Sequence, residues 1–252
     1  MESNRSSRLP ITKNMKNENP DYLRTHYRFV SGTEAGFKTY ISVIEKIAGV
    51  RDRRTDEIAV CDIGCSTGNF LHFLYERGYR RLRGVEPDAS SWAFADEHRK
   101  NRFIVERTDA LSFIKNNAEP PDVYTFLHVV EHLPRPYLEE LLSGLRTKMK
   151  KGSLGFMVMP HAGTLYHNHW LYDDATHEGF YTVRSFAQIL RRCGWEEDRI
   201  VFLNDRSICQ GWLKIPRHAL YFGLLPALDR VLLGKSLDNW YQTPNLIVVL
   251  RT

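Results

Sequence analysis

Short apolar runs recur through the first two thirds of the chain, most of them followed by a stretch with apolar positions three and four apart. Ile58-Ala59-Val60-Cys61 closes on Asp62 and a glycine-bearing turn, and helical spacing resumes over 71–77. Residues 81–85 repeat the theme, ending at Glu86 ahead of a helix over 91–98, and 103–106 form a third run with Asp109 just beyond. The β-rich run 123–129 precedes a helix over 135–149, and 154–159 make a fifth run. Apolar residues at helical spacing over 36–48 predict a further helix ahead of the first strand. Strands and helices alternating every 20–30 residues or so predict parallel βαβ units in a doubly wound α/β sheet.

After Pro160 the periodicity lapses. Residues 161–179 are rich in histidine, aromatic and acidic side chains, and helical spacing returns only over 182–193, with Gly194 placed to stop it. Residues 200–203 and 245–250 predict a closing pair of strands, which makes a mostly parallel seven-stranded sheet. The segment 204–243 between them is too long for a hairpin loop and predicts a helical insert. The expected organisation is a disordered leader over 1–20 and one domain over 21–252, with 21–56 as an N-terminal helical cap or lid.

Composition narrows the class. At 252 residues, 42% hydrophobic and 26% charged, the chain can bury a full α/β core. No apolar run approaches the roughly 18 residues of a membrane span, and the polar first residues lack the apolar core of a signal peptide, so a cytoplasmic domain is expected. The four cysteines do not make a disulfide framework, and Cys61 and Cys65 are expected to pack as small side chains. The net charge of +5 is spread over short clusters at 51–54, 77–83 and 148–151, which suits a solvated surface better than a nucleic-acid groove.

The turn Asp62-Ile63-Gly64-Cys65-Ser66-Thr67-Gly68 opens backbone N–H groups to a ligand, but its glycines stand four apart and do not make the dinucleotide pattern G-x-G-x-x-G. Glu86 follows Gly64 by 22 residues, at the end of the second run, where a carboxylate can accept two hydrogen bonds from a ribose diol. Asp109, after the third run, is placed to meet an adenine amino group. All three acidic residues fall at strand carboxyl ends, where open α/β sheets bind ligands.

With Val60-Cys61-Asp62-Ile63-Gly64-Cys65-Ser66-Thr67-Gly68, Gly84-Val85-Glu86-Pro87-Asp88, Thr108-Asp109-Ala110 and His128-Val129-Val130-Glu131-His132-Leu133 in this order, the chain resembles the class I S-adenosylmethionine (SAM)-dependent methyltransferases. The resemblance is to their small-molecule group, which includes ubiquinone-pathway and sugar O-methyltransferases. It implies SAM as cofactor, with Asp62 and Gly64 at its methionine end and Cys65, Ser66, Gly68, Asn69 and Phe70 completing the turn. It further implies Glu86 and Pro87 at the ribose, Asp109 and Ala110 at the adenine, and His128 beside the methyl group. Ser66 stands where the family often has glycine.

A hydroxyl acceptor must lose a proton, and histidine titrates in the right range. His128, His161 and His177 are the candidate bases, His177 because it precedes Phe180-Tyr181-Thr182 in a loop that closes over the acceptor in resembling enzymes. The resembling ubiquinone-pathway enzymes also carry a metal-binding cluster near His128, Glu131 and His132. Two imidazoles and one carboxylate are an incomplete set for magnesium, so a capping and packing role, and no metal, is expected there. His167, His169, Asp173 and Asp174 add polar groups to the 161–179 loop, while Tyr166, Trp170 and Tyr172 suit a carbohydrate or aromatic acceptor. Residues 22–28 are a candidate lid. The apolar stretch 219–233 fits a buried insert helix or dimer contact better than peripheral contact with a membrane or lipid-linked substrate. Leu127-His128-Val129-Val130 lacks the Asn/Asp-Pro-Pro-aromatic signature of enzymes that methylate nucleic-acid amino groups, so no nucleic-acid partner is expected. The expected activity is methyl transfer to a small-molecule or glycan hydroxyl. The alternatives are N- or C-methylation of a small metabolite, or a non-catalytic SAM-binding module, and the oligomeric state stays open.

Overall fold

The computed structural model describes residues 34–47, 53–88, 91, 102–164, 168, 172–209, 213–233 and 243–252. The strands are β1 Ala59–Ile63, β2 Arg81–Val85, β3 Ile104–Glu106, β4 Val123–Leu127, β5 Leu154–Pro160, β6 Ile200–Asn204 and β7 Asn245–Arg251. They form one sheet in the order β3-β2-β1-β4-β5-β7-β6. All neighbours are parallel except β7, which runs antiparallel to both β5 and β6. The chain starts in the middle of the sheet and winds outward in both directions. The switch point therefore falls between β1 and β4, whose carboxyl ends lead into connections on opposite sides and leave a crevice.

Helices cover both faces: α1 Glu34–Ile47, α2 Asn69–Tyr75, α3 Ala110–Asn116, α4 Arg135–Lys148 and α5 Val183–Arg192. Burial on both faces explains why the central strands read as continuous apolar runs, and every residue of β5 is buried. Successive side chains still alternate sides. Phe156 and Val158 pack with Phe37, Tyr40, Phe70 and Leu74 of α1 and α2, whereas Met157 and Met159 pack with Phe113, Leu138, Leu142 and Phe186 of α3, α4 and α5. α5 opens on a capping box in which Thr182 and Ser185 exchange side-chain and backbone bonds, and stops at Gly194 with φ +83°.

The structure corrects two sequence readings and details a third. β4 ends at Leu127, because His128 takes φ +57° and cannot continue a strand, so 128–129 belong to a turn. α3 was not anticipated: it has seven residues, too few for a clear helical period, and Asp109 is its N-cap. The insert comprises α6 Lys214–Ala219 and α7 Leu225–Leu233, joined by a wider π turn over Leu220–Leu224. Pro226 has no amide hydrogen to donate to the preceding turn, a common cause of such a widening. The leader 1–20, the candidate lid 22–28 and all of the 91–98 helix but Ser91 lie outside the described residues. No helix among the described residues is long and apolar enough to cross a membrane.

Candidate active site

The turn after β1 is shaped by three left-handed residues, Gly64, Ser66 and Gly68, at φ +68°, +49° and +70°. The amides of Gly64 and Cys65 donate to the Val85 carbonyl at 2.8 and 3.1 Å, and that of Gly68 donates to Cys65 at 2.7 Å, which folds the turn against β2. A Cβ on Gly64 would stand 2.5 Å from Cγ2 of Val129, so space as well as dihedral angle demands glycine here. This contact also places the turn after β4 directly against the turn after β1. Cys61 and Cys65 are buried free thiols, as packing predicts.

Glu86 is buried at the end of β2, where its Oε2 accepts from the Ser66 amide at 2.8 Å and its Oε1 from the Asp88 amide at 2.9 Å. Burial pushes its pKa up, and the two backbone donors hold it back only in part. The carboxylate is thus fixed in direction while each oxygen keeps a further lone pair. Asp62 is buried beneath the turn, with Thr125 Oγ1 donating to it at 2.6 Å. Burial pushes its pKa up to about 7, against the Thr125 bond and with help from the Glu86 charge. Asp109 accepts from the Ser112 amide at 3.0 Å and from Tyr137 Oη at 2.8 Å, both on Oδ1. Its partial burial opposes ionisation, but those donors outweigh it and hold the carboxyl below its usual range. Asn69 and Phe70 begin α2, and Ala110 begins α3, so the residues predicted to hold the cofactor line one edge of the sheet. Thr125 and Tyr137 escaped the sequence reading, because each lies far along the chain from the carboxylate it serves.

A second cluster forms across the crevice. The strained turn at His128 leads into a 3-10 turn over Val130–His132. The Nδ1 of His128 lies 3.1 Å from Glu131 Oε1. Glu131 is buried, and its Oε2 has no hydrogen-bond partner among the described residues. The Glu131 carbonyl accepts from the amides of Glu178 and Gly179 at 2.8 and 2.9 Å, which fastens the loop ahead of α5 to this turn. His177 on that loop packs its ring on His132 at 4.8 Å between centroids, and Nδ1 of His132 lies 2.9 Å from Thr176 Oγ1. Surrounding protein disfavours a charge on His128, but Glu131 outweighs this and raises its pKa. Burial of Glu131 works the opposite way and is overcome by the same bond, so its pKa falls. Burial lowers the pKa of His132 despite Glu131.

His161 follows β5 directly, buried, with neither ring nitrogen hydrogen-bonded among the described residues. Burial lowers its pKa to about 4, with the Thr243 backbone offsetting this in part. It is a neutral imidazole and a weak base. Of the other loop residues, Asp174 accepts from Thr176 Oγ1 at 2.6 Å, and Tyr172 pairs its exposed ring with Phe180 at 5.1 Å. Tyr166, His167, His169 and Trp170 lie outside the described residues.

Ligand atoms of Glu131, His132 and His177 all lie within 4.8 Å of one another. No metal was expected here, and the candidate trio contained His128; that ring is engaged by Glu131 Oε1, and His177 stands in the group instead. The orphaned Glu131 Oε2 is the kind of buried anion a cation would satisfy. Two imidazoles with one carboxylate fit a borderline ion such as zinc better than magnesium.

A further buried residue had no sequence signal. Asp205, after β6, accepts from Tyr40 Oη of α1 at 3.1 Å, from Asn245 Nδ2 at 2.9 Å and from the Ser207 amide at 2.8 Å. It ties α1 to the roots of the insert.

The sheet thus joins parallel strands and one antiparallel strand, with a glycine turn after β1 and the Glu86 carboxylate just beyond β2. The sequence matches the methyltransferase domain model Methyltransf_23 over residues 24–199, and the chain belongs to that family. No curated protein matches it significantly. Among solved structures, it is similar to a SAM-dependent methyltransferase from Archaeoglobus fulgidus, at 20% identity, TM-score 0.61, and coverage of 92% of this chain and 99% of that one. It is also similar to the plantazolicin methyltransferase BamL, solved with a triazolic desmethylPZN analog and SAH, at 16% identity, TM-score 0.58, and coverage of 90% and 88%.

Proposed function

We propose that the enzyme transfers the methyl group of SAM to a hydroxyl oxygen of a small-molecule or glycan acceptor. The observation that carries this reading is the His128, Glu131, His132 and His177 cluster packed, through Val129, against the glycine turn. Asp62 and Gly64 face the methionine part of SAM, with Cys65, Ser66, Gly68, Asn69 and Phe70 shaping the turn and helix start. Glu86 accepts from the ribose hydroxyls beside Pro87, and Asp109 and Ala110 border the adenine. His177 is the base: it takes the hydroxyl proton as the oxygen lone pair attacks the methyl carbon and the C–S electron pair returns to sulfur. His161 is too weakly basic for that step, and the Nδ1 of His128 is engaged by Glu131 Oε1. The exposed Tyr172 and Phe180 rings, tilted against each other, offer aromatic surface suited to a sugar or aromatic acceptor.

The orphaned Glu131 Oε2 favours a second reading, in which Glu131, His132 and His177 hold a divalent ion that would acidify the acceptor hydroxyl. Labelled methyl transfer from SAM onto sugars, quinols and lipid intermediates tests the acceptor class, and transfer only to amines or carbon would sink the hydroxyl reading. Exhaustive chelation separates the two mechanisms. Activity that survives it while His177→Ala is inactive supports His177 as base, whereas activity lost with the metal and restored by zinc supports the second.

A further inference from the structure

The cofactor site does not explain the insert between β6 and β7. Four of the seven large hydrophobic side chains exposed among the described residues lie on it: Ile215 at 80%, Leu224 at 62%, Leu228 at 39% and Val231 at 78%. Leu224, Leu228 and Val231 recur at i, i+4 and i+7 and so share one outward stripe, while Leu225, one position on from Leu224, is buried against the body. Exposed Arg230 follows Asp229 on the same helix, and Lys214 and Arg217 are exposed at the other end of the insert.

Place matters as much as composition. β6 ends at Asn204 and β7 begins at Asn245, beside Pro160 at the carboxyl end of β5. The insert therefore leaves and re-enters the sheet on the edge that carries the cofactor turn and the His128 cluster.

We propose that this helical insert lies in the surface of an anionic lipid membrane, apolar stripe down and basic side chains among the headgroups, so that the active-site edge faces the membrane. An amphipathic helix with aliphatic residues on one face and cationic residues beside it suits that interface, and the chain's net charge of +5 has the complementary sign. A second copy of the chain fits less well. Four aliphatic side chains offer on the order of a few hundred Å², against roughly 800 Å² per partner in a stable interface. A two-fold contact would also bring like-charged Arg230, Lys214 and Arg217 of the two copies close together. The inference rests on the methyltransferase reading only for its consequence, that the acceptor is taken at or from a lipid surface.

Flotation of the full-length protein with vesicles tests it, using phosphatidylcholine alone or mixed in equal parts with phosphatidylglycerol. The protein is expected to float with the anionic vesicles, to float less with neutral ones, and to be released by salt. The combined variant Leu224→Glu, Leu228→Glu, Val231→Glu changes only exposed positions. It should keep its circular dichroism and its calorimetric SAM affinity while partitioning at least about tenfold more weakly. No flotation of the wild type, undiminished flotation of the variant, or a wild-type dimer in sedimentation that the same variant dissolves would each overturn the proposal. SAM binding is read in every case, so loss of the methyltransferase reading is seen separately from loss of membrane contact.

Discussion

Asp62 shows how one buried carboxyl couples cofactor, acidity and stability. Its folded pKa of about 7 lies above the roughly 3.9 of an unfolded aspartate, so the folded state binds the extra proton between those values. The sign follows: this group costs the fold stability as pH rises from about 4 through about 7, and contributes nothing further beyond. A cation beside it favours the ionised form, and SAM carries an ammonium. SAM affinity is therefore expected to climb as pH rises through about 7, and Asp62→Asn should bind more weakly with that slope removed. A flat calorimetric profile in the wild type would remove Asp62 from the ammonium site. At Gly64, alanine meets both the Val129 methyl and an unfavourable φ. Gly64→Ala should destabilise by about 2 kcal/mol or more and weaken SAM binding, and adding Val129→Ala should recover only the steric part. Full recovery in denaturant titrations would show that the dihedral angle is harmless. Residues such as Gly64, Glu86 and Asp109 were legible in the sequence because they follow strands at fixed offsets. The Asp205 to Tyr40 bond was not, because its partners are 165 residues apart and nothing local marks either one.

At the scale of elements, legibility followed length and isolation. Short apolar runs announce strands, and all seven strands were anticipated, with limits off by one or two residues at several ends, the end of β4 because of the His128 dihedral angle. α5 was legible from its ends, where Thr182 caps the start and Gly194 stops it. Thr182→Ala is expected to cost about 1 kcal/mol in urea unfolding by leaving the Ser185 amide without its acceptor, and a change within error would mean that packing alone sets that helix end. α3 escaped because two turns cannot display a period, and its start was read only as an adenine contact. The same Asp109 serves as cap, which fixes the carboxylate by local structure.

For the molecule as a whole, ligand linkage gives the simplest measure of the folded crevice. SAM at about a hundredfold over its Kd should stabilise the protein by about 2.7 kcal/mol, a rise in Tm of roughly 5–10 °C. A variant lacking the Glu86 carboxylate, Glu86→Gln, should show a smaller rise at the same concentration, and an equal rise would remove Glu86 from the ribose contact. What no periodicity could show was how distant segments meet, and the Asp205 carboxyl is the clearest case. It joins the root of the insert to Tyr40, while Phe37 on the same helix packs on Phe70 and Phe73 of α2, the helix that starts at the glycine turn. These parts form a continuous mechanical linkage from the outermost element to the cofactor cradle, so a load that tilts the insert is passed to the floor on which SAM rests.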